Sequence, residues 1–475
     1  MSSRQRGRDP SRGPLGRLFL RGGLWALAAR VLAVGAGLAT QVFLARLLEP
    51  QQMGAYFLAQ SIVVVSSLVG QLGLNRSLVR SVAEAMGRED RSRARSAVVK
   101  SLQLALISSG VIAAVYAMGL GDVIARRVFD SSILGSVTLV IAAWIALMGL
   151  QNVVAEAHRG FHRIGRASFF GGTLTSLMTA GALGVLFVLH GSEDFGRILW
   201  ITVAATGANL LVSLAFVTRQ VAGAPADPSV RMRGLLAGTL AIAVANVSHA
   251  AMGQFDLWIV GSGLSHDEVA LYGAAKRLIR LISLPLVIMN LVVPPVIASL
   301  NARDEKARLE RALRGAVTLA GLPSLLVIIA MIAASGEILE LVYGEFYRAG
   351  ATLLVILSVE RLLFVWVGPC SLVLMMTGKD RQMLTITLFC GAVTVVAALV
   401  GLRVAGAVGI AAGTASGAML RDLLMWRAAR DASGVRTHVD LLHLGAMVEP
   451  LRRALGVSPR GGGRGETRGG PDQGP

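Results

Sequence analysis

The chain has 475 residues, 54% hydrophobic and only 16% charged, where a soluble globular domain is nearer one quarter charged. That balance excludes a soluble enzyme or binding module and indicates an integral membrane protein, with room for about a dozen spans of roughly 20 residues each. The net charge of +18 would suggest nucleic acid in a soluble chain, but here the arginines lie between apolar runs, the pattern that orients membrane helices. No nucleic-acid partner is expected.

In chain order, a basic N-terminus (1–23) precedes a span-length apolar run without a small-residue cleavage signature, so an uncleaved first helix is expected. Span-length apolar segments then lie near 24–47, 54–75, 98–119, 131–154, 169–190 and 197–217. Six more follow near 235–262, 269–298, 314–335, 350–376, 382–402 and 405–426. Basic residues crowd alternate connections: Arg76, Arg80, Arg88, Arg91, Arg93 and Arg95 after the second span, and Arg159, Arg163 and Arg166 after the fourth. Arg219, Arg231 and Arg233 follow the sixth span, Arg303, Lys306, Arg308 and Arg311 the eighth, and Lys379 and Arg381 the tenth. The intervening connections carry Glu49, Asp122, Asp130, Glu193, Asp194, Asp267 and Glu268 instead. Both termini are therefore expected in the cytoplasm.

The chain also repeats itself. "REDRSRAR" (88–95) matches "RDEKARLE" (303–310), "GAYFLAQ" (54–60) matches "ALYGAAK" (270–276), and "RASFFGG" (166–172) matches "MLTITLFCG" (383–391). The common offset of about 215 to 220 residues equals six spans. Two bundles of the same orientation follow, at 24–217 and 235–427, with a site between them. The Pro- and Gly-containing stretch 218–234 is the cytoplasmic linker. The Arg/Gly-rich tail 428–475 is expected to be disordered beside anionic lipid rather than to bind RNA. Cys370 and Cys390 fall in apolar spans as packing residues. No phosphate-binding loop, metal-ligand pattern or catalytic constellation is found, so neither an enzyme nor a bound cofactor is expected.

Charges inside spans single out candidate functional residues. Asp256, in "AMGQFDLWIVGSG" (251–263), lies about 10 Å below the outer boundary at 1.5 Å per residue. Lys276 and Arg277 return to a similar depth in the next span, with Arg280 one turn deeper on the face of Lys276. Either Asp256 pairs with Lys276 or Arg277 to lock two helices, or the group handles cargo. One carboxylate leaves the three cations in surplus, which must face water or an anionic ligand. Asn246, His249, Gly253 and Asp256 share one helical face. Arg30, with Gln41 on nearly the same face, reaches a cavity or snorkels to the headgroups. Glu360 and Arg361 fall near mid-bilayer and, pointing about 100° apart, need not pair with each other. The sum is a cationic interior suited to a pyrophosphate.

Four stretches carry a family resemblance. "FLARLLEPQQMGAYFLAQSI" (43–62), "GLNRSLVRSVAE" (73–84), "QFDLWIVGSGLSHDEVALYGAAKRL" (254–278) and "LVYGEFYRAGATLLVILSVERLL" (341–363) resemble bacterial polysaccharide-biosynthesis proteins. These are the oligosaccharide (Wzx-type) flippases of the multidrug/oligosaccharidyl-lipid/polysaccharide (MOP) exporter superfamily. The resemblance runs from about residue 20 to 427 and departs at Glu49, where glycine is usual, and in the tail.

It implies an all-α polytopic membrane fold of two six-helix bundles, in the bacterial cytoplasmic (inner) membrane, working by alternating access on an undecaprenyl-pyrophosphate-linked oligosaccharide. Polysaccharide polymerase and glycosyltransferases would be pathway partners. Arg30, Lys276, Arg277 and Arg280 would hold phosphate oxygens. Asp256, Glu360 and His249 would supply counter-charge or couple transport to a proton or sodium gradient, and Asn246, Gln41 and Arg361 would line the cavity. Alternatives are a cation-coupled drug exporter, which would want unopposed carboxylates, and a lipid II flippase of the related branch. A non-transporting scaffold and a polymerase are further options, the last disfavoured by short outer loops.

Overall fold

Charge, proline and glycine mark where the helices begin, end and break. The computed structural model describes residues 14–190, 194–236, 239–282 and 306–433. The first span is α1 (Pro14–Leu47). It gives way to α2 (Pro50–Gly70), whose proline sits at the first helical position, where its missing N–H is no loss. Gln52 accepts the Glu49 N–H at 3.3 Å, so the unusual glutamate opens this helix with a reciprocal cap.

The second span stops sooner than its apolar pattern suggests. Leu72 and Gly73 take positive φ, and a separate amphipathic helix, α3 (Leu74–Gly87), follows. It buries Leu74, Leu78, Val82 and Ala85 at helical spacing and turns Arg76 and Arg80 outward. Asp90 caps α4 (Arg91–Val115) by accepting the Arg93 N–H at 2.9 Å. The helix continues to Val128 through two π-helical turns, with Gly119 at φ 142°.

The fourth span is displaced along the sequence. A short turn capped by Ser131 takes up Ser132–Ser136, and α5 runs Thr138–Gly160, carrying Gln151, Asn152, Glu156 and Arg159 within the helix. A π turn, Phe169–Thr173, leads into α6 (Leu174–His190). Its freed Phe170 carbonyl accepts from the buried amides of Gln151 at 2.7 Å and Asn209 at 2.9 Å. Asn209 belongs to α7 (Phe195–Val221).

The seventh predicted span is two helices, α8 (Thr239–Met252) and α9 (Phe255–Gly263), separated at Gly253–Gln254. Next comes α10 (His266–Ile282). The rest of the predicted eighth span, the basic N-terminus to residue 13 and the tail from 434 lie outside the described residues. α11 (Lys306–Ala333) meets α12 (Ser335–Tyr343) at a 91° bend. α13 (Ala351–Val367) is separated from α14 (Cys370–Met376) by Gly368–Pro369.

The last helical stretch, α15 (Asp380–Ser433), folds back on itself at Ala405–Gly406, where the backbone leaves helical values. Gly401 then faces Gly409, Gly413 faces Ala397 and Gly417 faces Thr394, the ladder of an antiparallel hairpin whose backbones touch. In lipid, where burying apolar surface gives helices no reason to associate, such small-residue seams let dispersion hold them together.

The result is an all-α multi-pass membrane protein. Among the described residues, seven helices are long and apolar enough to cross a membrane, or eight if the bent α11–α12 pair is one span. α5 packs against α2, α3, α4 and α7, and α1 against α6. Further along the chain, α13 packs against α10, α11 and α15. The main core lies where α2 meets α10, with Tyr56, Phe57, Tyr272 and Tyr343 fully buried. The linker is strapped to the start of α4. Arg95 donates to the Ala224 carbonyl, Lys100 to the Val230 carbonyl, and the Asp227 N–H to Ser96 Oγ at 2.7 Å.

Candidate functional site

The break before α9 places Asp256 in the first turn of a helix, where free N–H groups favour a negative charge. Its Oδ1 accepts the Leu257 N–H at 2.9 Å and forms an ion pair with Lys276, and its Oδ2 accepts the Tyr272 hydroxyl at 2.9 Å. Lys276 also donates to the Gly253 carbonyl at 2.7 Å, tying the break itself to α10. Of the two partners the sequence leaves open, the ion pair therefore takes Lys276. With Asp256 only 8% exposed, the pair is a buried one, and its geometry accounts for how a carboxylate is tolerated at this depth.

Arg277 does something different. Its guanidinium lies 3.5 Å from the centroid of the Phe57 ring and donates to Gln60 Oε1 at 2.6 Å, both on α2. Trp258 Nε1 donates to Ser61 Oγ at 2.8 Å in the same seam. Phe57 packs directly on Gly273, the position that the repeat offset pairs with it, and Gly54 packs on the His266 carbonyl. The first and second parts of the chain thus meet tightly at the end of the bundle opposite the arginine-rich connections. Arg280, one turn further along α10, is exposed and makes no ion pair or hydrogen bond among the described residues.

The remaining sequence candidates are more dispersed. Glu360 is buried and pairs with its neighbour Arg361 at 2.8 Å, a pairing the sequence left open. Arg421 and Asp422 on α15 form a second adjacent pair at 2.8 Å. One oxygen each of Glu360 and Asp422 is buried without a hydrogen-bond partner among the described residues. The helix break divides the polar stripe of span seven, leaving Asn246 half-buried and His249 exposed on α8. Gln41 on α1 buries an Oε1 that has no hydrogen-bond partner among the described residues. Arg30 lies in α1, with its side chain outside the described residues.

Two groups escape the sequence reading. One is the Tyr272 and Gln60 pair of partners to Asp256 and Arg277. The other is a polar cavity of about 520 Å³ lined by Gln71, Asn75, Asn152, Glu156 and Arg159. A legible signal existed for it, since Asn152, Glu156 and Arg159 follow i, i+4, i+7 spacing. Ending the fourth span near 154 hid it. On the neighbouring side of α1, an apolar groove of about 920 Å³ runs along Leu32, Ala36, Phe43, Gly181 and Val185.

The fold is that of a multi-pass helical membrane protein with an ion pair at a seam between two parts of the chain. Its family follows from comparison. The chain belongs to the polysaccharide biosynthesis protein family, whose model matches residues 43–351. It is 22% identical over 341 residues to the probable low-salt glycan biosynthesis flippase Agl15 of Haloferax volcanii, covering 70% of this chain and 67% of that one.

Solved structures share the fold. An inward-facing multidrug resistance MATE family transporter of the MOP superfamily superposes with a TM-score of 0.70 at 17% identity, covering 87% of this chain and 98% of that one. An outward-facing MATE family transporter gives 0.58 at 17% identity, covering 89% and 97%. A MOP superfamily transporter from Pyrococcus furiosus, reported with reversed binding-pocket polarity, gives 0.62 at 16% identity, covering 89% and 97%. These relatives are flippases and transporters rather than enzymes.

Proposed function

We propose that this protein moves a lipid-linked oligosaccharide, joined to its polyprenyl carrier by pyrophosphate, across the cytoplasmic membrane by alternating access. Both termini are cytoplasmic and two six-helix bundles flank the path. The observation that carries this reading is the arrangement on α10. Lys276 neutralises Asp256 and Arg277 clamps the seam to α2, while Arg280 remains an exposed cation with no ion pair or hydrogen bond among the described residues. The surplus positive charge that the sequence leaves over is thus Arg277 and Arg280, and the exposed Arg280 offers a fork of donors to phosphate oxygens. Lys276 is released to the cargo only when the seam opens, and Asp256 is its resting counter-charge.

The tight contacts of Gly54, Phe57 and Gly273 close the outer end in this conformation, so loading takes place from the cytoplasmic side. The free oxygens of Glu360 and Asp422 are where a coupling proton or sodium ion would bind. A cationic drug cargo fits less well, because Asp256 and Glu360 already face basic partners.

Binding of a short-chain polyprenyl-pyrophosphate oligosaccharide to purified protein tests the reading. Arg280→Ala should weaken binding about tenfold, the loss of one charge-assisted contact, and Lys276→Ala/Arg277→Ala/Arg280→Ala should abolish it. Equal binding by wild type and the folded triple variant would remove this cluster from the cargo's path.

A further inference from the structure

The polar cavity within residues 14–190 is a different environment from the α10 cluster, and its chemistry specifies a different ligand group. It lies between α1, the end of α2, α5 and the π turn at Phe169–Thr173. Glu156 and Arg159 are the charged residues lining it, and they neutralise each other, with Arg159 Nη1 2.6 Å from both carboxylate oxygens. The cavity therefore has no surplus charge for a phosphate. What it offers is hydrogen-bonding capacity in both senses. Asn152 is half-buried with no side-chain hydrogen bond among the described residues, and Asn75 uses one oxygen on the Arg76 N–H.

Gln71 is the decisive group. It is only 3% exposed, it lines the cavity, and its buried Nε2 donates to nothing among the described residues. A buried donor left unpaired is costly, and a half-satisfied amide cluster inside an apolar bundle is a poor structural element. An external partner resolves both. The volume, about 520 Å³, falls in the range of small-molecule sites.

We infer that this cavity is a neutral carbohydrate subsite, in which Gln71, Asn75, Asn152 and the Glu156–Arg159 pair take the hydroxyl groups of a sugar ring. This inference rests on the translocase reading above and extends it. The anionic link and the glycan of one cargo are recognised at separate places, the first by Arg280 and the second by the amides. Planar amides, a carboxylate and a guanidinium present the paired donors and acceptors that vicinal hydroxyls require. Displaced α5, by carrying Asn152 and Glu156 inside the helix, is what builds the wall.

The test titrates the full chain in lipid nanodiscs with a short-chain polyprenyl pyrophosphate, either bare or carrying glucose, galactose or N-acetylglucosamine. Wild type is compared with Asn152→Leu and with half-exposed Asn75→Leu, each checked by thermal unfolding. Wild type should prefer at least one sugar-bearing probe by roughly tenfold, and both variants should lose that preference while keeping their affinity for the bare pyrophosphate. Variants that retain the preference, or a wild type that binds bare and sugar-bearing probes alike, would overturn the subsite and leave the translocase reading standing. A wild type that binds none of the probes would overturn both.

Discussion

A carboxylate in an apolar helix costs several kcal/mol unless other groups answer its charge. At Asp256 a backbone N–H, a tyrosine hydroxyl and an ammonium do so together. Removing one member of such a buried pair strands the other, so Lys276→Ala should destabilise the protein by about 3–5 kcal/mol. Arg280→Ala removes no ion pair or hydrogen bond among the described residues and should change stability by less than about 0.5 kcal/mol. Thermal or denaturant unfolding in detergent separates the two, and equal effects would contradict the division between a structural lysine and an available arginine.

Outside the membrane, Asp227 illustrates a residue whose charge state is set locally. The Ser229 hydroxyl and then the Ser229 N–H hold its carboxyl below the usual carboxylate range, helped by Arg93 and Lys100. Because the folded value is depressed, its contribution is present above the ordinary value of about 4 and lost as pH falls through the depressed one. Protection of the 227–229 amides, taken relative to the intrinsic exchange rate at each pH, should fall on that acidification, and Asp227→Asn should remove that change in protection. Exchange that is independent of pH-induced protonation in wild type would disprove it.

At the scale of elements, the seam between α2 and α10 depends on missing side chains. Any Cβ at Gly273 runs into the Phe57 ring, so Gly273→Val should cost about 1–3 kcal/mol or force the seam apart. The same substitution should raise the accessibility of a cysteine placed at Gln60, measured by maleimide labelling. Unchanged labelling and stability would mean the seam is looser than described.

How far elements were legible varies for physical reasons. Apolar length and arginine placement reveal that the chain is helical and spans a membrane, because lipid permits few alternatives. The break at Gly368–Pro369 carried a Gly-Pro signal that the span reading 350–376 passed over, whereas the one at Gly253–Gln254 was not legible, since hydropathy does not record backbone direction. The α10 cluster was legible because charge in lipid demands a partner. Its division of labour was not, because which cation reaches Asp256 depends on where α9 begins. The amide cavity was missed because it lies in the last turns of a helix whose end the apolar pattern sets too early.

At the scale of the whole molecule, a member of the polysaccharide biosynthesis family has a closed seam between α2 and α10, an exposed Arg280 with no ion pair or hydrogen bond among the described residues, and a neutral polar cavity near the arginine-rich connections. Alternating access requires that the seam open for cargo to leave, so locking it should stop transport without preventing loading. Ser61 and Trp258 meet across it at 2.8 Å and provide the lock.

The most direct measurement is movement of a fluorescent polyprenyl-pyrophosphate-linked sugar across proteoliposomes. The chain would carry Ser61→Cys and Trp258→Cys, with Cys370 and Cys390 replaced by serine, and would be assayed before and after a short reducible thiol crosslinker. The account predicts transbilayer movement before crosslinking, none after it, and recovery on reduction, with binding retained throughout. No movement by the uncrosslinked, folded protein, or movement that continues undiminished once the seam is locked, would contradict it.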